Sequence, residues 1–278
     1  MNILFIGGGN MAAAIIGGLI AKGWPAASLC AVDVLPAALE ALRNRYGIRT
    51  SGDATTEAGH ADCVVLAVKP QQLRTVAQSL APVVDGRLVL SIAAGIRGAD
   101  LARWLGGKAR VVRAMPNTPA LVGAGISGLH AMPGVSSEQR KNAESVLAAV
   151  GETFWVDDEQ ALDAVTAVSG SGPAYVFYFI ESLEQAAREL GLEAEAARRS
   201  ALATFAGAVK LALASDADPA TLRARVTSKG GTTERAIALL EESAVKAALI
   251  RAVRGAQQRS VELGDELGRD NAAPDNKN

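Results

Sequence analysis

The sequence predicts an open, doubly wound α/β sheet followed by an all-helical half. Three observations carry that prediction. Short aliphatic runs alternate with amphipathic stretches over the first 156 residues, the pattern of βαβ units around a mostly parallel sheet. A glycine-rich turn joins the first run to the first amphipathic stretch. Beyond residue 157 the strand signal ends, and residues 158–267 read as consecutive helices.

In chain order, the runs at 3–6, 29–33, 63–68, 88–92 and 111–114 are the expected strands. Helices are expected between them at 10–22, 36–45, 71–80 and 98–105. Right-handed crossovers then build the sheet, with 125–130 and 154–156 as later or edge strands, and the first domain closes near Val156. The second domain is expected over 157–267. Its stretch 172–190 is the most apolar, because Ala174, Tyr175, Val176, Phe177, Tyr178, Phe179 and Ile180 cover every face of nearly two turns. Such a helix must be buried all round, which in a small helical half points to a core shared between subunits, hence a homodimer. Residues 268–278 are polar and patternless and read as a disordered tail.

A chain of 278 residues exceeds the ~100–200 of a usual domain, in keeping with two. Hydrophobic residues make up 49% and charged residues 21%, with 28 Lys+Arg against 29 Asp+Glu, which disfavours disorder and nucleic acid as a partner. Aromatics are only 4%, so aliphatic side chains and closely approaching backbones must form the core. Cys30 and Cys63 each sit in an apolar run and read as buried free thiols, the usage of a reducing cytoplasm. His60 and His130 lie apart without ligand neighbours, so no metal site is expected. The N-terminus lacks the cationic stretch of a signal peptide, and the apolar run 174–180 falls short of the ~20 residues a bilayer span needs.

Gly7, Gly9 and Ala12 form G-x-G-x-x-A directly after the first strand and at the mouth of a helix. In a Rossmann unit the first small residue permits the turn, the second admits a pyrophosphate to the backbone, and the third lets helix and strand pack closely. Asp33 ends the next strand at close to the ~20-residue distance expected of the ribose-binding acid. Its carboxylate favours the free 2′-hydroxyl of NADH over the 2′-phosphate of NADPH, unless it only caps the following helix.

Three more segments lie where strands of such a sheet end: Ala67-Val68-Lys69-Pro70, Ser91-Ile92-Ala93-Ala94-Gly95 and Met115-Pro116-Asn117-Thr118-Pro119. Prolines stiffen two of them, and the Asn117 amide can pair with a carboxamide or serve as a satisfied structural group. In the helical half, Ser169-Gly170-Ser171-Gly172-Pro173 and Ser228-Lys229-Gly230-Gly231-Thr232-Thr233-Glu234 each precede an apolar-periodic helix. Open helix N-termini there suit a carboxylate, although plain capping gives the same pattern. No lysine stands on residues 170–180 to protonate a nascent alkoxide. Reduction of a protonated imine needs no such donor, because the substrate nitrogen already carries the charge.

These motifs, in this order and spacing, resemble pyrroline-5-carboxylate reductase from residue 1 to about 265. The resemblance implies reduction of 1-pyrroline-5-carboxylate to L-proline by NADPH or NADH, an N-terminal Rossmann domain, and a helical C-terminal domain that interlocks into a dimer, often in a ring of five. It implies Ile6, Gly7, Gly8, Gly9, Asn10 and Met11 at the pyrophosphate, and Ala67, Val68, Lys69, Pro70, Ile92, Ala93, Ala94 and Asn117 along the nucleotide and nicotinamide. It implies Gly230, Gly231, Thr232 and Thr233 at the substrate carboxylate, Thr233 nearest the ring nitrogen, and Asp216 beside the pocket. Many members resemble NADPH users with Ser, Asn or Arg near position 33, so Asp33 leaves both nucleotides open. A β-hydroxyacid dehydrogenase would need a catalytic lysine that 173–187 lacks, and a non-catalytic nucleotide sensor would not need the Thr232 and Thr233 hydroxyls.

Overall fold

The computed structural model describes residues 1–269. Its first part runs β1 (Ile3–Ile6), α1 (Asn10–Ala21), β2 (Leu29–Val32), α2 (Pro36–Tyr46), β3 (Arg49–Ser51), α3 (Ala54–His60), β4 (Cys63–Leu66), α4 (Pro70–Leu80), β5 (Leu88–Ser91), α5 (Gly98–Trp104), β6 (Arg110–Met115), β7 (Gly125–Ala131), α6 (Ser137–Leu147) and β8 (Gly151–Trp155). Helices α7 (Ala161–Val165), α8 (Gly172–Glu189), α9 (Ala194–Leu213), α10 (Pro219–Arg225), α11 (Thr232–Glu242) and α12 (Val245–Gly268) complete it.

The strands form one sheet in the order β3-β2-β1-β4-β5-β6-β7-β8. Among the described residues, only the β6–β7 pairing is antiparallel. β1, β2, β4 and β5 are buried along their whole length, as strands covered by helices on both faces must be. The pleat divides β1 between two cores: Ile3 and Phe5 join Ile15, Ile16 and Leu19 of α1, whereas Leu4 and Ile6 join Leu73 and Leu80 of α4. The strand order reverses between β1 and β4, and beyond the carboxyl ends of those strands lies the crevice where such sheets bind ligands.

Two compact units are present: Met1–Ser171 with the chain from Ala256 on, and Gly172–Gly255. The first unit extends past the expected closure at Val156 because α7 packs on β6 and β7. It also takes in the end of α12, where the Ser260 hydroxyl donates to Asp163 Oδ1 at 2.6 Å.

The second unit is helical. The cover expected for α8 is not supplied within the single chain: no α8 residue is buried there, and Phe177 and Tyr178 are 64% and 67% exposed. The helices of one chain do not cover that face, so an apolar surface is left for a partner. A disordered tail is expected over 268–278, but α12 runs through Gly268, and residues 270–278 lie outside the described residues. No helix among the described residues is long and apolar enough to cross a membrane.

Candidate nucleotide and substrate sites

Three glycines make the whole connection from β1 to α1. Gly7 adopts φ +103°, and a Cβ there would lie 2.6 Å from the Ala67 carbonyl oxygen, so the turn can pass the end of β4 only without a side chain. Gly9 is the N-cap of α1 and supplies no side-chain cap; a Cβ on it would meet nothing within 4 Å. The first amides of α1, at Asn10 and Met11, therefore stand at the positive helix end beside open space, a setting that fits a pyrophosphate. Ile6 is buried in the core, so only its main chain can serve a ligand.

Asp33, just past β2, turns its carboxylate into this loop. Oδ2 accepts the Gly8 amide at 2.6 Å and Oδ1 accepts the Leu35 amide at 2.8 Å. The N-cap of α2 is Leu35, so Asp33 is not that helix's cap; it is a group at the rim of the glycine turn. Beside it Val34 and Leu35 are exposed apolar side chains.

The segments after β4 and β5 line the same edge of the sheet. Ala67 donates its amide to Ile6 O at 2.8 Å, Val68 is half-buried, and Lys69 is the N-cap of α4 with Pro70 at the first helical position. After β5, Ile92 donates its amide to Leu66 O at 3.2 Å, and Ala93 is buried with Ser91, while Ala94 keeps some exposure.

Asn117 is turned inward and 8% exposed. Its Nδ2 donates to Ser169 O at 3.1 Å, and its Oδ1 accepts the Ile126 amide at 2.9 Å. The reason lies four residues beyond Ser169. Pro173 has no N–H to give the Ser169 carbonyl in a helical ladder, and the Asn117 amide takes that place. The chain there is a π-helical turn, Thr166–Gly170, entered directly from α7 and followed by α8. The open helix N-terminus expected at 169–173 is thus absent: the turn is already helical, with the Ser169 hydroxyl bonded to Val165 O and the Ser171 amide to Thr166 O. Such turns concentrate at functional sites. Sequence reasoning noticed Asn117 and Pro173 separately and missed the bond that links them.

The second segment of hydroxyls does form an open N-terminus within the second unit. Gly231 is the N-cap of α11 without a side-chain cap, and Thr232 and Thr233 are its first helical residues. Gly230 gives its amide to Glu234 Oε2 at 2.7 Å and Gly231 gives its amide to Ser228 O at 3.0 Å, which leaves the Thr232 and Thr233 amides and both threonine hydroxyls for a ligand. Asp216 is exposed, two residues before the Asp218 that caps α10.

Neither thiol belongs to these sites. Burial pushes Cys30 up to about 11, with the Glu57 charge adding to it, and Cys63 up to about 12, with Asp62 adding. Both remain neutral thiols near neutral pH.

Comparison with known proteins bears on the whole chain. Residues 159–263 match the family profile for pyrroline-5-carboxylate reductase dimerisation, and residues 2–95 match that for coenzyme F420-dependent NADP oxidoreductase. A Pseudomonas aeruginosa pyrroline-5-carboxylate reductase is 47% identical over 268 residues, covering 96% of this chain and 98% of the relative. Among solved structures, a pyrroline-5-carboxylate reductase from Coxiella burnetii superposes with a TM-score of 0.90 at 42% identity, over 94% of this chain and 98% of that one. The Plasmodium falciparum pyrroline carboxylate reductase, solved with NADP bound, gives a TM-score of 0.86 at 29% identity over 95% and 98%.

Proposed function

The chain belongs to the pyrroline-5-carboxylate reductase family and reduces 1-pyrroline-5-carboxylate to L-proline with NAD(P)H, the last step of proline biosynthesis; from that premise we propose how its residues divide the work. Residues 1–156 bind the dinucleotide, and residues 157–267 bind substrate and form the dimer. The reduced nicotinamide, when bound, supplies the hydride that saturates the C=N carbon.

The main chain of Ile6 to Met11 holds the pyrophosphate. Asp33 meets the adenine ribose and favours NADH, because its oxygens are already fixed by two amides and would face a 2′-phosphate with like charge. Residues 67–70 and 92–94 line the rest of the nucleotide, with the buried Asn117 holding the turn behind them. At the N-terminus of α11, Gly230 and Gly231 shape the turn that lets the substrate carboxylate approach, the Thr232 amide and hydroxyl bind it, and Asp216 lies beside them. The Thr233 hydroxyl meets the ring nitrogen, either as a hydrogen-bonding group that orients it or as its proton path. Hydroxyls and amides suffice there, because a protonated imine brings its own charge to be neutralised.

A dimerisation domain is present, and we extend it to a homodimer through the helical unit, assembled further into a decamer of five dimers. Two neutral buried thiols accord with a cytoplasmic enzyme. The observation that carries the site reading is the uncapped α11 N-terminus with two threonines in its first turn. Its test compares 1-pyrroline-5-carboxylate with 1-pyrroline, which keeps the imine and lacks the carboxylate. Loss of two charge-assisted hydrogen bonds, at ~1.5–3 kcal/mol each, lowers kcat/KM by at least about 100-fold. Equal kcat/KM for the two imines would remove α11 as the carboxylate site.

A further inference from the structure

The loop that follows β5 does not stand alone on its outer side. Gly95 adopts φ +71°, and a Cβ there would lie 3.1 Å from Leu263 Cβ and 3.6 Å from Leu267 Cδ1, so loop backbone and α12 touch directly. Two residues on, Arg97 pairs with the Asp265 carboxylate and crosses Gly264, where a Cβ would lie 3.2 Å from Arg97 Nε. Farther back along α12, the buried Ser260 is tied to Asp163, and ahead of it Leu267 packs on the core beneath the loop. On its inner side the loop is fixed by buried Ser91, Ala93 and Ile96. Residues 95–97, which directly follow 92–94, are therefore held between the sheet and the last turns of α12.

We infer that the end of α12 positions the 92–94 loop for the nicotinamide, with Leu263 and Asp265 as positioning residues. The inference rests on the reading above that places Ile92, Ala93 and Ala94 among the residues along the nucleotide and nicotinamide, and takes them to be on the nicotinamide side. An exposed ion pair such as Arg97–Asp265 adds little by itself. Here it closes the loop over the Leu263 contact, so that the two together fix where the ring can lie. The nucleotide half of the cofactor is held elsewhere, on the glycine turn. Loosening α12 should therefore disturb orientation of the ring and spare affinity for the rest.

The experiment uses the full chain with Leu263→Ala, Asp265→Asn and, as the conservative partner, Asp265→Glu. Backbone hydrogen exchange over residues 91–98 is first measured in the unaltered protein with saturating NADH and with ADP-ribose, which lacks the nicotinamide. Extra protection by NADH upholds the loop assignment; equal protection removes the assignment and the inference with it. Given extra protection, Leu263→Ala and Asp265→Asn lose it, and kcat falls about tenfold while KM for the imine and affinity for ADP-ribose hold within about twofold. Asp265→Glu restores both readings. Unchanged NADH-specific protection and kcat in Leu263→Ala and Asp265→Asn overturn the inference while leaving the assignment in place. A parallel drop in ADP-ribose affinity also overturns it, as the sign of general loosening.

Discussion

Asp33 Oδ2 accepts the Gly8 amide at 2.6 Å, so the acid after the second strand and the glycine turn after the first are one hydrogen-bonded unit. A carboxylate held in that way would meet a 2′-phosphate with like charge. Asp33→Ser should move the ratio of kcat/KM for NADPH over NADH upward by about tenfold, the equivalent of ~1.4 kcal/mol. Parallel oxidation assays with both cofactors read that ratio directly. An unchanged ratio would mean that Asp33 only braces the turn.

Thr233→Ala removes the hydroxyl at the second helical residue of α11 and leaves the amide in place. A hydrogen bond to a charged group contributes ~1.5–3 kcal/mol, so kcat/KM for the imine should fall about 10- to 100-fold with the thermal midpoint unchanged. Thr233→Ser should recover most of it. Equal turnover in Thr233→Ala and the unaltered protein would exclude Thr233 from the chemistry.

Asn117→Ala leaves the Ser169 carbonyl and the Ile126 amide without their partner. Each buried unsatisfied group costs ~1–3 kcal/mol, and chemical denaturation should register a loss of about 2–6 kcal/mol for the two. Asn117→Asp keeps the acceptor for Ile126 but sets a largely buried carboxylate against the Ser169 carbonyl, so its loss at neutral pH should be at least as large as that of Asn117→Ala. A drop in NADH affinity with no loss of stability would instead make Asn117 a direct ligand.

The two thiols give a pH prediction with a definite sign. In the fold Cys30 and Cys63 keep their protons to about 11 and about 12, whereas an unfolded chain releases them near 9.0. Above that ordinary value the unfolded state binds fewer protons, so stability falls as pH rises from there through the folded values. Denaturation midpoints measured below and above the free-thiol range should separate, and a Cys30→Ala, Cys63→Ala double variant should show a smaller separation. Thiol-specific reagents should label neither residue until the chain is unfolded.

Phe177→Glu places a charge on the exposed apolar face of α8. If that face joins two chains, the substitution should weaken self-association by at least about 30-fold, as loss of a hot-spot aromatic does. Light scattering would show monomers at concentrations where the unaltered protein is dimeric. An unchanged mass would move the interface to another helix.

Much of the sheet was legible because parallel strands buried on both faces are written as uninterrupted aliphatic runs. β1 matches its run at both ends, and β2, β4 and β5 stop one or two residues early. β3 was not legible: Arg49, Thr50 and Ser51 form a three-residue polar edge strand, held by pairing with β2 and not by their own pattern. α6 was missed although it announces itself with a capping box between Ser136 and Gln139, because its exposed face dilutes the apolar period. At the site, the glycine turn was readable because backbone geometry demands Gly7, and Asp33 because it follows the second strand at the spacing of an acid that faces that turn. The tie from Asn117 to Ser169 was not, since it joins residues 52 positions apart and depends on a carbonyl that only the folded helix sets free.

The bareness of α8 reaches into how the molecule is made. If α8 joins two chains, a helix with no buried residue in its own chain completes its burial on meeting another, and the final step of maturation is bimolecular. The sheet unit can collapse on its own contacts at a rate indifferent to dilution, whereas completion of the helical unit should accelerate with the number of chains in the solution. At low copy number, newly made molecules would wait with their aromatic faces open, and that interval is when chaperones and proteases have their opportunity.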